Sequence, residues 1–170
     1  MTSGARPVDW ATFPCALGDV VLRTSDGKDV WLAGALVLRE NAPAAVLFVA
    51  PDASGAGGDR AVYVRPRPVT EIMWLEPIQH ESLVVGSEPP TAIELDGVHF
   101  QRVRRLPLRA ERVGEGAPDV GATVLLGEYA SDRGDVALLL VAERAFAWRG
   151  SRLAEGDYDV WRPEKSTSPH

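Results

Sequence analysis

The segment DVALLLVAERAFAWRG, Asp135–Gly150, decides the fold class, because helix and strand patterns compete in it. Its Ala, Leu, Glu and Arg residues are good helix formers. Against a helix, glycines bound the segment closely, and its LLLV run is equally typical of a buried strand. We predict two strands, Val136–Ala142 and Phe146–Arg149, joined by a turn at Glu143–Ala145.

The chain on either side of this segment consists of short apolar runs separated by Gly and Pro. The sequence has 16 Gly and 13 Pro, which leave little room for long helices. Runs rich in Val, Leu, Phe, Tyr and Trp predict strands, and Asp-Gly pairs between them favour hairpin turns. The other predicted strands are Asp19–Thr24, Val30–Arg39, Ala45–Ala50, Ala61–Arg65, Ile72–Leu75, Ala92–Leu95, Val98–Leu106, Ala122–Tyr129 and Asp157–Trp161.

Eleven short strands at this spacing predict an all-β fold. We expect short antiparallel strands that form a sandwich or two small packed β-barrel-like modules. Ala45–Ala50 is continuously apolar, so we expect this strand to be buried on both faces. Four tryptophans lie in predicted strands, and we expect them to pack in the core or between modules. They are Trp31, Trp74, Trp148 and Trp161.

A polar stretch that ends in Glu88-Pro89-Pro90 is the best linker candidate, and it divides the chain into two halves. The predicted organisation is an N-terminal lead-in (1–15), a first β-module (16–79), a linker (80–91), a second β-module (92–162) and a disordered tail (163–170). We therefore expect two β-modules packed side by side.

Composition excludes several function classes. The chain has 18 Lys plus Arg against 24 Asp plus Glu, a net charge of -6, which argues against a duplex nucleic acid partner. One Cys forbids an internal disulfide and a Cys-based zinc site. The N-terminus has no signal-like apolar region, and the longest apolar run is too short to span a bilayer. We predict a cytoplasmic protein without membrane insertion, and the sequence gives no oligomeric state.

Short motifs along the chain carry a family resemblance. They are Leu17-Gly18-Asp19-Val20-Val21, Val30-Trp31-Leu32, Trp74-Leu75, Gly97-Val98-His99-Phe100, Gly127-Glu128-Tyr129 and Trp148-Arg149-Gly150-Ser151-Arg152-Leu153. Together they resemble the bacterial domain-of-unknown-function family numbered 4178, over residues 16–162. The chain departs from that family at Val46–Val49, which lack its aromatic-rich strand pattern. The resemblance implies a β-rich bacterial module and no activity that can be transferred residue by residue.

Few residues could serve as a nucleophile or a general base. His170 lies in the predicted tail, which leaves His80, His99 and Cys15. Cys15 follows Pro14 in an apolar context, which favours a buried small hydrophobe over a reactive thiolate. A Cys15–His99 dyad stays open as an alternative. No G-x-S-x-G motif occurs, so we expect no catalysis.

Two stretches raise the question of a metal or a cofactor. Glu155, Asp157 and Asp159 alternate, so in a strand they would share one face and could offer oxygen ligands to Ca²⁺ or Mg²⁺. Same-face side chains of a straight strand are about 7 Å apart, however, which favours a solvated outer face with the intervening residues pointing inward. The Gly-rich Ser54–Asp59 lacks the Lys-Ser/Thr and the helix of a phosphate loop, so we predict neither metal nor cofactor.

Basic charge is concentrated within Gln101–Val113 of this acidic chain. Its five arginines are Arg102, Arg104, Arg105, Arg109 and Arg112, to which Arg65 and Arg67 could add. Guanidinium groups bind carboxylates and phosphates bidentately, so this stretch predicts an acidic protein partner or an anionic ligand. RNA is disfavoured because only Phe100 offers a stacking surface nearby. The alternative interpretation is that these arginines neutralise the chain's own acids, such as Glu111 and Glu115.

These observations predict a binding or interaction module for a protein partner, without catalysis. The alternative is a small-molecule-binding protein or an enzyme with a pocket between the two β-modules, which would use His99, Cys15 or the carboxylates of residues 155–159.

Overall fold

A computed structural model describes residues 8–41, 43–50, 60–78 and 86–163 of the chain. These ranges contain strands and one short 3-10 helix, Trp10–Thr12. The strands are β1 (Val20–Arg23), β2 (Asp29–Trp31), β3 (Gly34–Arg39), β4 (Pro43–Val49), β5 (Ala61–Arg65), β6 (Glu71–Pro77), β7 (Ala92–Leu95), β8 (Val98–Gly114), β9 (Thr123–Ser131), β10 (Asp135–Val141), β11 (Ala145–Arg152) and β12 (Tyr158–Trp161). No helix in the described ranges has the length and apolar character needed to cross a membrane.

Eight strands form a closed antiparallel barrel in the order β3-β4-β5-β6-β11-β10-β9-β8, and pairing of β8 with β3 closes the ring. Closure depends on the length of β8. Its residues up to Arg109 pair with β9, and those from Arg109 to Gly114 pair with β3. The predicted all-β fold with antiparallel strands is therefore confirmed. The barrel takes four strands from each side of the predicted linker, and the boundaries of the two β-modules stay a prediction.

The barrel interior is filled by alternate residues of every barrel strand, because successive side chains of a strand point to opposite faces. The buried interior side chains include Leu36, Leu38, Leu47, Tyr63, Met73, Leu75, Leu108, Val124, Leu126, Leu138, Leu140 and Trp148. The residues between them also lie in apolar surroundings, since other elements cover much of the outer face. Ala45 to Val49 are accordingly buried on both faces of β4, as predicted.

A small three-stranded sheet, in the order β12-β1-β2, covers one outer side of the barrel. Its inward residues Val21, Val30 and Val160 pack with outward residues of β3 to β6, among them Phe48 and Trp74. β1 and β2 come from the beginning of the chain and β12 from its end, so this sheet brings distant parts of the sequence together.

The hairpin of β7 and β8 covers another outer side of the barrel. Its Ile93 and fully buried Phe100 pack with outward residues of β9, β10 and β11, including Tyr129 and Leu139. The hairpin turn is Asp96-Gly97, and both residues have positive φ, +50° and +76°. Asp and Gly tolerate this backbone region better than other residues, which is why the Asp-Gly pair predicts the turn.

The segment at residues 135–150, in which helix and strand patterns compete, forms the two strands β10 and β11. The prediction of two strands is therefore confirmed. Its LLLV run is buried on both faces of β10, where one face lines the barrel interior and the other lies under the β7–β8 hairpin. A continuous apolar run is thus explained by two-sided burial in a barrel.

The prediction of one strand over Val30–Arg39 is wrong, because the chain passes here from the small sheet to the barrel. β2 ends at Trp31 and β3 begins at Gly34. The intervening Leu32 is fully buried, and its backbone bonds to Gly18 and Asp19 instead of to a strand of the barrel. The apolar pattern continues through the crossing, so it does not reveal the break.

β8 also differs from its prediction, since it continues through Pro107 to Gly114. The N–H of Ala110 donates to the carbonyl of Ala122, the residue just before β9. The backbone N–H and C=O groups of even-numbered residues in this part of β8 therefore point toward β9, and those of Pro107 point toward the opposite edge of the strand. That edge pairs with β7 up to Gln101 and with β3 from Arg109, and Pro107 lies in the interval between them. A missing N–H is tolerated there, because no ladder hydrogen bond is required.

Trp74 and Trp148 are buried as expected, but the expectation of core packing is wrong for Trp31 and Trp161. Both flank Val20 on the face of the small sheet that points away from the barrel. Which face of a strand turns inward depends on its partners, and the single chain segment does not show them.

Candidate binding site at one end of the barrel

Polar and charged side chains occupy one end of the barrel interior. Each continues the inward-facing alternation of its strand: Arg65 follows Tyr63 on β5, Glu128 follows Leu126 on β9, and Arg104 precedes Leu106 on β8. We call the group the barrel-end cluster, and its members are Tyr63, Arg65, Glu71, Arg104, Glu128 and Arg152.

Glu128 is the centre of the barrel-end cluster, and its side chain is only 3% exposed. The hydroxyl of Tyr63 donates to Glu128 Oε2 at 2.5 Å. Arg65 donates through Nε to Oε2 at 3.1 Å and through Nη2 to Oε1 at 3.3 Å, which forms a bidentate pair. β5 and β9 are four places apart in the ring of eight strands, so these bonds cross the barrel. A buried carboxylate needs such donors, since leaving it unpaired is costly.

The remaining groups lead from this buried centre to solvent. Arg65 also binds Glu71 on β6, and the Nε of Arg152 donates to the other oxygen of Glu71 at 3.2 Å. Arg104 Nε lies 3.6 Å from Glu128 Oε1. The side chains of Arg104 and Arg152 are 37% and 43% exposed, so two guanidinium groups meet water at this end of the barrel.

The electrostatics of the cluster favour its paired state. Burial raises the pKa of Tyr63 well above its usual range, and the charge and hydrogen bond of Glu128 add to the shift, so Tyr63 keeps its proton and donates it. Burial alone would lower the pKa of Arg65. The hydrogen bond and charge of Glu128, together with Glu71, outweigh burial and give a net upward shift. Three arginines face two glutamates, which leaves the cluster with one excess positive charge.

The predicted arginine stretch does not lie on one surface, because its residues alternate along β8. Arg104 and Arg112 share the inward alternation of Leu108, whereas Arg105 and Arg109 lie on the other face. A register irregularity between Arg102 and Arg104 sets Arg102 apart from both groups. The structure brings Arg104 together with Arg65 at Glu128, while Arg67 is exposed and contributes its carbonyl to Arg65.

The other arginines of the stretch contact nearby backbone or acidic groups. Arg102 donates to the carbonyl of Pro89 at 2.8 Å, and Arg109 donates to that of Glu40. Arg112 donates to the carbonyl of Ala117 at 3.2 Å, and Arg105 forms an ion pair with Glu88 at 3.3 Å. Two of these contacts hold residues 88–89, part of the predicted linker, against β8.

The candidate catalytic residues do not come together in the described chain. Cys15 packs between the small sheet and the barrel, and burial raises the pKa of its thiol to about 12, with a further contribution from Asp19. His99 is exposed on the β7–β8 hairpin, at the opposite outer side. The Cys15–His99 dyad is therefore not formed, and the thiol lacks the lowered pKa of a nucleophile. His80 and His170 lie outside the described residues.

The acidic series at residues 155–159 is not a row on one strand. Glu155 and Asp157 belong to the turn before β12, where Asp157 accepts the backbone N–H of Ala154 at 2.7 Å. Asp159 is exposed on β12, and its neighbours Tyr158 and Val160 pack toward the barrel as predicted. The described residues contain no group of His, Cys, Asp and Glu arranged to hold a metal ion. The Gly-rich Ser54–Asp59 lies outside the described residues.

Sequence reasoning missed Glu128, Tyr63 and Glu71, the residues that hold the barrel-end cluster together. Glu128 appeared only within the Gly127-Glu128-Tyr129 motif of the family resemblance. One signal was available. Val124, Leu125 and Leu126 precede it, separated from it by Gly127, and this continuous apolar run predicts that β9 is buried on both faces. A glutamate in such a strand needs a cationic partner.

A groove of about 660 Å³ lies elsewhere on the barrel, at residues from both halves of the chain. Its polar lining includes Arg39, Asn41 and Arg109, and its apolar lining includes Val124 and Val141. His99, Cys15 and the carboxylates of residues 155–159 do not line this groove.

The chain matches no protein-family model, no curated protein and no solved structure. The assignment of a site therefore rests on the residues of the barrel end.

Replacing Glu128 by Gln should destabilise the fold, because the buried charge of Arg65 would lose its bidentate carboxylate and keep only the partly exposed Glu71, which it shares with Arg152. We expect a loss of about 3 kcal/mol or more in the free energy of unfolding, the cost of breaking a buried ion pair. Urea unfolding followed by tryptophan fluorescence measures it. Glu111→Gln is the matched control, since Glu111 is 44% exposed in its ion pair with Arg39 and should lose less than about 1 kcal/mol. Equal losses in the two variants would contradict the assignment.

Stability should fall in alkaline solution, partly through Tyr129. Its hydroxyl donates to the carbonyl of Pro90 at 2.6 Å, and burial raises its pKa from 10 to about 12. Between these values the unfolded chain loses the proton that the folded chain keeps, so the folded state becomes less stable as the pH rises. Tyr129→Phe should show a smaller loss from pH 9 to pH 12 than wild type in urea titrations. An unchanged slope would contradict the shift.

Proposed function

We propose that the protein is an interaction module that acts without catalysis and binds a carboxylate- or phosphate-bearing segment of a partner protein at the barrel-end cluster. The observation that carries the proposal is the exposure of Arg104 and Arg152 over a buried, paired interior. The excess positive charge of the cluster lies at the one part of it that solvent and a partner can reach.

The contacts of these two arginines support recognition of an anion. Arg104 makes no hydrogen bond to a described residue, and its ion pair with Glu128 is 3.6 Å long, so its guanidinium retains donors for a ligand. Arg152 uses Nε on Glu71 and directs no other nitrogen to a described residue. Charge-assisted bonds from such donors to a carboxylate or phosphate are stronger than neutral ones.

The buried half of the cluster gives the site rigidity. Arg65 uses Nε, Nη1 and Nη2 on Glu128, Arg67 and Glu71, and both oxygens of Glu128 have donors. Arg152, which this network holds through Glu71, therefore loses less conformational entropy when a partner docks. Because both oxygens of Glu128 already accept hydrogen bonds, the cluster favours binding over proton transfer at Glu128.

We further propose roles for the other arginines of β8, a cellular location and a family for this protein. The outward Arg105 and Arg109, with Arg102 and Arg112, would contact the acidic partner beyond the barrel end. The protein would act in the cytoplasm of a bacterium, and it would be a relative of the β-domain family that its motifs resemble.

A second candidate function is the binding of a small anionic molecule in the groove. The observation that favours it is a lining that combines Arg39 and Arg109 with Val124 and Val141, because small-molecule sites are largely apolar with a few placed polar groups. The pocket predicted from the sequence, between two β-modules, would use His99, Cys15 or the carboxylates of residues 155–159, and these residues do not line this groove.

The proposal predicts that Arg104→Gln combined with Arg152→Gln weakens binding of a fluorescein-labelled oligoglutamate peptide by about tenfold or more. Each lost charge-assisted hydrogen bond contributes about 1.5–3 kcal/mol, and 1.4 kcal/mol is a factor of ten. Fluorescence anisotropy at low salt gives the dissociation constants. The neutral glutamine side chains avoid placing a new negative charge beside Glu128.

Lys28→Gln combined with Arg144→Gln is the matched control, since both side chains are exposed and the change in net charge is the same. Arg144 lies before the start of β11, whereas Arg152 lies at its end. Lys28 adjoins Asp29, whose carbonyl binds Arg60 before the start of β5, at the end opposite Arg65. This control should retain nearly full affinity. Equal weakening by the control pair would contradict a defined site. Loss of binding with Arg105→Gln and Arg109→Gln alone would place the site on the outer face of β8 instead.

A further inference from the structure

The tripeptide Asp-Val-Trp occurs twice in the chain, as Asp29–Trp31 and as Asp159–Trp161. The two copies are 130 positions apart and form strands β2 and β12 of the small sheet. They flank β1 on its two edges, so a sequence repeat becomes a structural one.

The two copies stand in equivalent register against β1. Val20 pairs with both tryptophans, Val21 with both valines, and Leu22 with both aspartates. Both copies therefore run in the same direction and place their valines toward the barrel, where Val30 and Val160 join the core. The tryptophans and aspartates share the opposite face. We call this face the DVW face, formed by Val20, Leu22, Asp29, Trp31, Asp159 and Trp161.

The DVW face exposes large apolar side chains. Trp31 is 52% exposed and Trp161 is 64% exposed, which is unusual for the residue that buries the most apolar surface per side chain. The other exposed large hydrophobic residues in the described chain lie elsewhere, Val69 in the turn between β5 and β6 and Val103 on β8. Concentration of two tryptophans on one small sheet marks an interaction surface.

The charges on this face are negative. Asp29 and Asp159 are exposed, and neither carboxylate forms an ion pair or a hydrogen bond with a described residue. The nearby basic groups are engaged elsewhere or lie off the face: Arg60 donates to the backbone carbonyl of Asp29, and Arg162 lies 3.5 Å from Asp19. Lys28 precedes β2 in the turn from β1. A cationic ligand fits a carboxylate beside an aromatic face, and tryptophan is the best aromatic partner of a cation.

The spacing of the two copies defines the ligand further. Within each copy the aspartate and tryptophan are about 7 Å apart on the same face, so one long cationic side chain can contact both. The copies are separated by two strand spacings, about 9.5 Å. A polyproline II helix places every third residue on one side at intervals of about 9.3 Å, which matches that separation.

We propose that the DVW face binds a segment of a partner protein in the polyproline II conformation that carries Lys or Arg at every third position. Each cationic side chain lies against one tryptophan and pairs with the aspartate of the same copy. The prolines between them pack on Val20 and the edges of the indole rings, as aromatic surfaces bind proline-rich segments elsewhere. This site is independent of the barrel-end cluster and selects ligands of the opposite charge.

Titration with synthetic peptides tests the proposal on the full chain, with fluorescence anisotropy of labelled peptides as the measurement. A repeated Lys-Pro-Pro peptide should bind, whereas a repeated Glu-Pro-Pro peptide should not. A repeated Lys-Pro peptide, with the same chemistry at the wrong spacing, should bind about tenfold more weakly. Equal binding of all three peptides, or no binding of Lys-Pro-Pro at millimolar concentration, would overturn the proposal.

Variants separate the two parts of the site. Trp31→Ala and Trp161→Ala should each weaken Lys-Pro-Pro binding about tenfold, and Asp29→Asn with Asp159→Asn should weaken it and reduce its salt dependence. Asp132→Asn with Glu143→Gln removes two exposed carboxylates elsewhere and should leave affinity unchanged. A neutral oligosaccharide that binds through the tryptophans, with no effect of the aspartate variants, would assign the face to a sugar and refute the peptide proposal.

Discussion

The carboxylate of Glu128 lies inside the barrel, where water cannot solvate it and fixed donors must take the place of water. Tyr63 and Arg65 supply those donors from the opposite wall. Their bonds join β9 to β5 across the interior, so one end of the barrel is closed by directed polar contacts while the rest is filled by apolar side chains. Apolar contacts are tolerant of small shifts, whereas a bidentate pair is not. The position of this end therefore depends on Glu128.

The exposed chemistry of the barrel end follows from this buried pair. Arg65 holds Glu71, and Glu71 in turn holds Arg152 at the surface, while Glu128 attracts Arg104 from β8. The guanidinium groups of Arg104 and Arg152 are thus positioned by interior groups whose hydrogen bonds are already formed. A similar division holds in the small sheet, where inward valines fix the strands and leave the tryptophans and aspartates to solvent. In both places a packed interior presents charged or aromatic groups at fixed spacing.

Much of the fold could be predicted from the sequence, because strands leave local signals. Gly and Pro breaks, the Asp96-Gly97 turn and the apolar run of β10 place most elements correctly. The crossing at Leu32 was missed because a residue buried between two sheets has the same apolar character as one inside a strand. Closure of the barrel depends on pairing of β3 with β8, a contact between distant segments for which no local pattern exists. The prediction of the site was incomplete for the same reason. The charged stretch pointed to Arg104, but only the tertiary fold brings Arg104 next to its partner Glu128.

A double-mutant cycle between Arg65 and Glu128 tests most directly whether this pair holds the barrel end. Arg65→Met, Glu128→Leu and the combined variant are compared by urea unfolding. If the pair acts as described, each single change removes the bidentate partner of a buried charge and leaves only weaker partners, Glu71 for Arg65 or Arg104 and Tyr63 for Glu128. Each single change then costs about 3–5 kcal/mol, and the combined change costs much less than the sum. We expect a coupling free energy of about 2 kcal/mol or more between Arg65 and Glu128. Losses that add to within about 0.5 kcal/mol would contradict it, since additivity is the behaviour of residues that do not interact.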